Sequence, residues 1–138
     1  MQNLEKDWIE QAVKAWLKSN TKLQKGLLTT EILDIQHLLA FKFPQDFIDF
    51  YEKINGFEDL DWNEHMFSIW SLDRIFQAYY EEGSEIFIPF SDFLIDLYRI
   101  GFSKKDKKIY KNFELSEPIA HSFKEAIMLI NSSADIIY

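Results

Sequence analysis

The chain has 138 residues, 47% of them hydrophobic and 17% aromatic, with no cysteine and a net charge of −8. It is too apolar for a disordered segment, and without cysteine it has no disulfides, thiolate metal sites or thiol nucleophiles. This length suits one domain, residues 1–138, with a single core, and the lack of cysteine fits a cytoplasmic location.

Charges at Glu5, Lys6, Asp7, Glu10, Lys14 and Lys18 break up the N-terminal segment, so no signal-peptide core is expected there. No stretch approaches the roughly 20 apolar residues of a membrane span. Leu4, Trp8, Ile9, Ala12, Val13, Trp16 and Leu17 share one helical face, with Asn3 as a cap. They predict a helix over 4–19 that packs on a core. Residues 20–29 read as a connector. Thr30 then reads as the N-cap of a helix over 31–41, with Glu31 and Asp34 in its first turn and Ile32, Ile35, Leu38 and Leu39 as its buried stripe. Pro44 ends that helix, because proline disfavours the α region for the residue before it.

Pro44 also suits the first position of the next helix, followed by Gln45 and Asp46. Phe47, Phe50, Tyr51 and Ile54 recur at helical spacing, and Asp49, Glu52 and Lys53 fall on the opposite face. Gly56, after Asn55, reads as a left-handed helix stop. The segment 30–57 is thus expected to be a helical hairpin with its aromatics turned inward.

An acidic loop follows, Glu58-Asp59-Leu60-Asp61-Trp62-Asn63-Glu64-His65. Met66–Trp70 reads as a short strand. Ser71 reads as the cap of a helix near 72–80 that Gly83 ends. From Ile86 the runs EIFIPF, FLIDLYRIGF and KKIYKNFEL are strand-like, the last two joined by a tip at Lys104-Lys105-Asp106. Pro118 precedes a closing amphipathic helix over 118–132, with Ile119, Phe123, Ala126, Ile127 and Ile130 in phase. Helices, then a mostly-sheet region over 66–115, then a helix predict an α+β fold with an antiparallel-rich mixed sheet flanked by helices. The segment 1–20 would be an N-terminal helical extension.

The charge is concentrated in one block. Residues 43–92 carry twelve acidic and two basic groups, whereas the flanking blocks 1–42 and 93–138 are each at +1. Such a middle disfavours nucleic acid, which wants clustered Lys and Arg, and it attracts a basic partner. A merely solubilising surface is the bland alternative. The loop Asp59–Asn63 imitates half a calcium loop, but Glu64 stands where glycine is required and Trp70 where a bidentate glutamate is required. An irregular site at Asp59, Asp61 and Glu64 is the remaining metal option, and none is expected. His37, His65 and His121 lack zinc spacing, and the pairs Glu64-His65 and His121-Ser122 should face apart. No nucleophile elbow or phosphate-cradling loop is present, so neither a cofactor nor a catalytic residue is predicted. The run Lys104–Lys111 reads as a lysine-guarded hairpin edge rather than a phosphate site. Trp62 among carboxylates reads either as an exposed interface anchor or as a core residue.

The order of these segments resembles the SUKH superfamily, which includes the fungal Smi/Knr regulators of glucan synthesis. That family shows a helix, a Leu-Pro step, an aromatic-bearing helix and an Asn-Gly stop. The counterparts here are Ile32–Leu39, Phe43-Pro44, Phe47–Ile54 and Asn55-Gly56. Further counterparts are Phe67-Ser68-Ile69-Trp70-Ser71-Leu72, Ile88-Pro89-Phe90-Ser91-Asp92 with Tyr98, and Ile119-Ala120-His121-Ser122-Phe123. The resemblance covers roughly residues 30–130. The chain departs from it at Phe43, where leucine is usual, at Gln36 for glutamate and at Ala40 for glycine. Phe93-Leu94-Ile95-Asp96 also replaces a Gly-Gly-Asp turn.

The resemblance implies structural roles for Phe43, Pro44, Phe47, Asn55, Gly56, Ser122 and Phe123. It also implies a non-enzymatic protein-binding role, either as an immunity protein that neutralises a basic toxin domain or as a regulatory scaffold without a toxin. On that reading the partner-binding residues would be Glu58, Asp59, Asp61, Trp62 and Glu64 of the loop, with Asp46, Asp49 and Glu52 of the preceding helix. Neither nucleic acid nor membrane is expected as a partner.

Overall fold

The computed structural model describes residues 7–59, 61–83, 85–111 and 117–132. The order of elements is α1 (Asp7–Lys18), β1 (Leu23–Lys25), α2 (Thr29–Leu39), α3 (Gln45–Lys53), β2 (Ile54–Phe57), β3 (Phe67–Ile69), α4 (Leu72–Glu82), β4 (Phe87–Phe93), β5 (Tyr98–Ser103), β6 (Ile109–Lys111) and α5 (Phe123–Ser132). The strands form a two-stranded sheet, β1-β2, and a four-stranded sheet, β3-β4-β5-β6. Every pairing of these strands is antiparallel. The fold is α+β, with the strands divided between two sheets.

The helices α1, α3 and α5 meet around Phe123. Its ring lies 5.0 Å from Phe47, 5.1 Å from Phe50 and 5.0 Å from Phe90. Edge-to-face and offset geometries of this kind add to simple burial. Helix α1 is part of the core: Trp8 stacks on Phe50, and Trp16 sits edge-on to Phe57 at 4.9 Å. The Trp16 indole N–H donates to Asn131 at 2.7 Å. Asn3 and Leu4, expected at the start of this helix, lie outside the described residues.

Several expectations change. The connector 20–29 contains β1, which was too short and polar to read as a strand. Helix α2 starts at Thr29, and Thr30 is not its cap: the Glu31 carboxylate accepts from the Leu28 N–H at 3.0 Å. Leu38 is exposed, so the stripe narrows to Ile32 and Leu39 with a half-buried Ile35. Pro44 is the N-cap of α3 and not its first residue. Gly56 does have a left-handed backbone, at φ +70, but it lies within β2 and does not stop a helix. A Cβ there would press on the Trp70 carbonyl oxygen and lie 2.8 Å from that of Ile69, so glycine lets the two sheets abut backbone to backbone.

Ser71 caps α4, accepting from the Arg74 N–H, and Gly83 closes it at φ +65. The run FLIDLYRIGF is not one strand: Leu94–Leu97 form the turn between β4 and β5. The expected tip at Lys104-Lys105-Asp106 is a turn, and residues 104–108 join β5 to β6. Asn112–Leu115, read as strand, lie outside the described residues. Helix α5 begins at Phe123 and not near Pro118, because Ala120 instead bridges to Ile109 as an extension of the sheet edge.

Candidate functional site

The acidic loop 58–65 is tied down along most of its length. The Glu58 N–H donates to the Lys22 carbonyl at 2.9 Å, and the Thr21 hydroxyl donates to that of Trp62 at 3.0 Å. Asp61 is used internally: its carboxylate accepts from the Lys22 N–H at 2.5 Å and from the Trp62 N–H at 2.9 Å. Buried Asn63, which the sequence offered only as part of a calcium-loop imitation, accepts from the N–H groups of both His65 and Phe67 at 3.0 Å. Bonds of this kind are the usual way a short polar side chain fixes a turn. Glu64 and His65 do meet, at 3.3 Å, against the expectation that they face apart. The facing rule holds for regular elements, and these two lie in a turn.

Trp62 is 38% exposed, so it is not folded into the core. With Asp61 it lines a small depression of about 50 Å³ together with Met66, Ser68, Arg74, Asp92, Ile95 and Asp96. Asp59 faces a different groove, along α4, with Asp73, Arg74 and Glu81. The α3 carboxylates sit elsewhere. Asp49 and Glu52 line a depression with Ile9 and Glu10, Glu52 accepts from the Thr29 hydroxyl, and Asp46 accepts from the Lys124 N–H at the start of α5. Asp61 and Trp62 are thus brought together, and the α3 acids line none of the depressions that these two share.

Beside the loop lies a cluster the sequence reading did not assign. Buried Asp92 accepts from the Trp70 indole N–H and from the Arg74 guanidinium, both at 2.9 Å. Arg74 and Arg99 lie 4.2 and 5.0 Å from the Trp70 ring centroid, within cation–π range. Arg99 grips Asp96 through two nitrogens and pairs with Glu82. Burial and the neighbouring Asp92 carboxylate push the Asp96 carboxyl up against the lowering effect of Arg74. Burial and repulsion from Arg74 lower the Arg99 guanidinium, opposed by Glu81. The available signal was an aspartate inside an apolar strand run and an arginine four residues after a tryptophan.

The turn Leu94–Leu97 was hidden because it contains no Gly or Asn. Leu94, Ile95 and Asp96 have φ of 50°, 52° and 68°. A left-handed backbone costs an L-residue roughly 1–2 kcal/mol, and it is least tolerated by a β-branched side chain such as Ile95. Two lysines of the other hairpin have side-chain partners: Lys104 donates to Leu39 and Tyr79, and Lys111 lies 4.3 Å from the Tyr98 ring centroid.

Phe43 stacks on Phe47 at 4.3 Å, and the Asn55 side chain accepts from the Leu72 N–H at 2.9 Å. The Ser122 hydroxyl accepts from the Glu125 N–H at 3.1 Å, opening α5. The family described as SMI1 / KNR4 (SUKH-1) matches residues 26–128, most of the chain. The chain belongs to the SMI1 / KNR4 family (SUKH-1). No curated protein matches it significantly. The SUKH-1 match leaves α1 and β1 outside, although α1 completes the core. SUKH-1 members are generally non-catalytic, and the family points to protein–protein interaction. Among the described residues no three His, Asp or Glu side chains gather as a metal-holding group, and no helix is long and apolar enough to cross a membrane.

Proposed function

We propose that this SUKH-1 chain is an immunity-type protein that binds and neutralises a basic toxin domain through its acidic surface. The observation that carries this reading is the tethered loop 58–65, which offers exposed Trp62 amid Glu58, Asp59 and Glu64. Close charge pairs at an interface are worth roughly 1.5–7 kcal/mol each, and a half-exposed tryptophan is a favoured anchor. Asp61 acts as a brace for the loop, so partner contacts fall to its neighbours, with Asp46, Asp49 and Glu52 as a second acidic group.

The test is co-purification with a toxin domain encoded next to this chain, followed by titration calorimetry across a salt series. Charge reversal at Asp59 and Glu64 weakens the complex at least about tenfold and flattens its salt dependence. Binding indifferent to both changes removes these residues from the interface. A second reading, a regulatory scaffold of the glucan-synthesis type with no toxin partner, is favoured by the family name itself. It wins if the chain is encoded alone and its native partner is not a toxin.

A further inference from the structure

The β4–β5 turn holds three large apolar side chains in solvent: Leu94 is 44% exposed, Ile95 68% and Leu97 66%. A four-residue hairpin loop is ordinarily built with Gly or Asn where φ is positive. Here the left-handed positions fall on Leu94, Ile95 and Asp96. The turn is nevertheless firmly held. The Leu94 N–H donates to Met66 at 3.0 Å, the Leu97 N–H donates to Phe93 at 2.8 Å, and Asp96 is gripped by Arg99. Beneath it Phe93 stacks on Tyr98 at 5.0 Å. Strain that the surroundings impose and maintain points to use. An exposed apolar tip with no core to serve is otherwise a liability.

Ile95 and Met66 line the same depression as Trp62, so the tip and the acidic loop form one continuous patch. Its rim is acidic. The loop exposes Glu58, Asp59 and Glu64 and contains no Lys or Arg, whereas of the two carboxylates beside the tip Asp92 is buried and Asp96 is paired with Arg99. Arg74, the cation lining the depression, is tied to Asp92.

We propose that the Leu94–Leu97 tip, with Trp62 and Met66, is the docking knob of this surface, and that it receives a protein segment presenting an aliphatic side chain flanked by Lys or Arg. This rests on the protein-binding reading above and adds to it where the apolar anchor lies. The acidic rim sets the sign of the partner, and the depression sets the size of what enters. The strained turn keeps the aliphatic side chains from folding back.

The test uses the full chain, labelled with ¹⁵N, and three synthetic peptides. The first is a short amphipathic Lys/Leu helix, the second has every Leu changed to Ser, and the third has every Lys changed to Glu. Binding of the first alone, with shifts at the Trp62 indole and the amides of 94–97, supports the proposal. Ile95→Asp then weakens it about tenfold, while charge reversal at exposed Asp34 of α2 leaves it unchanged. The double variant Leu94→Gly, Ile95→Gly loses the peptide yet melts no lower than the parent. Equal binding of the Leu-free peptide at the loop overturns the tip but leaves the acidic-surface reading standing. Binding of none of the three counts against both. Concentration-dependent dimers that bury the tip without peptide overturn the proposal in favour of a second copy. A sharp drop in the melting point of the double-glycine variant overturns it by showing the tip to be structural.

Discussion

The Tyr51 hydroxyl donates to the carbonyl oxygen of Trp70 at 2.6 Å, deep in the molecule. This bond joins α3 to the junction between β3 and α4, where the Asp92 cluster begins. Burial pushes the phenol well above its usual range, so it stays a donor at any ordinary pH. Tyr51→Phe keeps the ring stacked on Phe47 and leaves the Trp70 oxygen without that donor. The expected loss is about 1–3 kcal/mol, measured by urea unfolding.

The same carbonyl limits Gly56. Gly56→Ala combines a positive φ with a Cβ pressed against the Trp70 backbone, whereas Gly83→Ala has the positive φ with nothing within 4 Å of the added carbon. Gly83→Ala should cost roughly 1–2 kcal/mol. Gly56→Ala should cost clearly more, or prevent folding, because backbone on both sides must shift. Thermal melts of the pair decide it, and equal losses would mean that the two sheets do not abut at Gly56.

Trp16 tests whether a helix outside the family match is integral. It is almost fully buried, in ring contact with Phe50 and Phe57 and bonded to Asn131. Trp16→Ala should cost roughly 3–5 kcal/mol. A loss under about 1 kcal/mol would make α1 a detachable appendage, since surface changes fall in that range.

The tip between β5 and β6 carries a pH signature. Slight burial alone would raise the Asp106 carboxyl, but the Tyr110 hydroxyl at 2.5 Å and the Lys108 N–H at 2.9 Å outweigh it, and the net shift is downward. A depressed carboxyl stabilises the fold above its unfolded value, about 3.9, and that contribution disappears as pH falls through the folded value. Asp106→Asn should therefore melt lower than the parent at pH 7. The two curves should converge in acid below about pH 4, as read by melts across pH.

Sequence legibility followed the strength of the local signal. Ser71 and Gly83 were readable because a hydroxyl cap and a glycine stop act through backbone geometry at the residue itself. The aromatic face of α3 was readable from spacing alone. The Asn55-Gly56 step was legible only in part. The positive φ was foreseen, but nothing local reveals that the Asn55 side chain caps α4 from seventeen residues away. Strand β1 exists because β2 is there to pair with it, which three residues of LQK do not announce. The Leu94–Asp96 turn runs against propensity altogether, and only the Gly-Gly-Asp turn of the resembling family marked the place. The Asp92 cluster joins residues up to 29 positions apart, a distance at which periodicity says nothing.

The moorings of the 58–65 loop have an energetic consequence for association. A free loop gives up conformational freedom when a partner docks, and that loss is subtracted from every contact made. Here Thr21, Lys22, Asn63 and the Asp61 carboxylate have already taken that freedom during folding. The loop meets its partner as a finished shape, so cutting the Thr21 or Asn63 moorings should loosen a complex through faster dissociation while leaving every contacting atom in place.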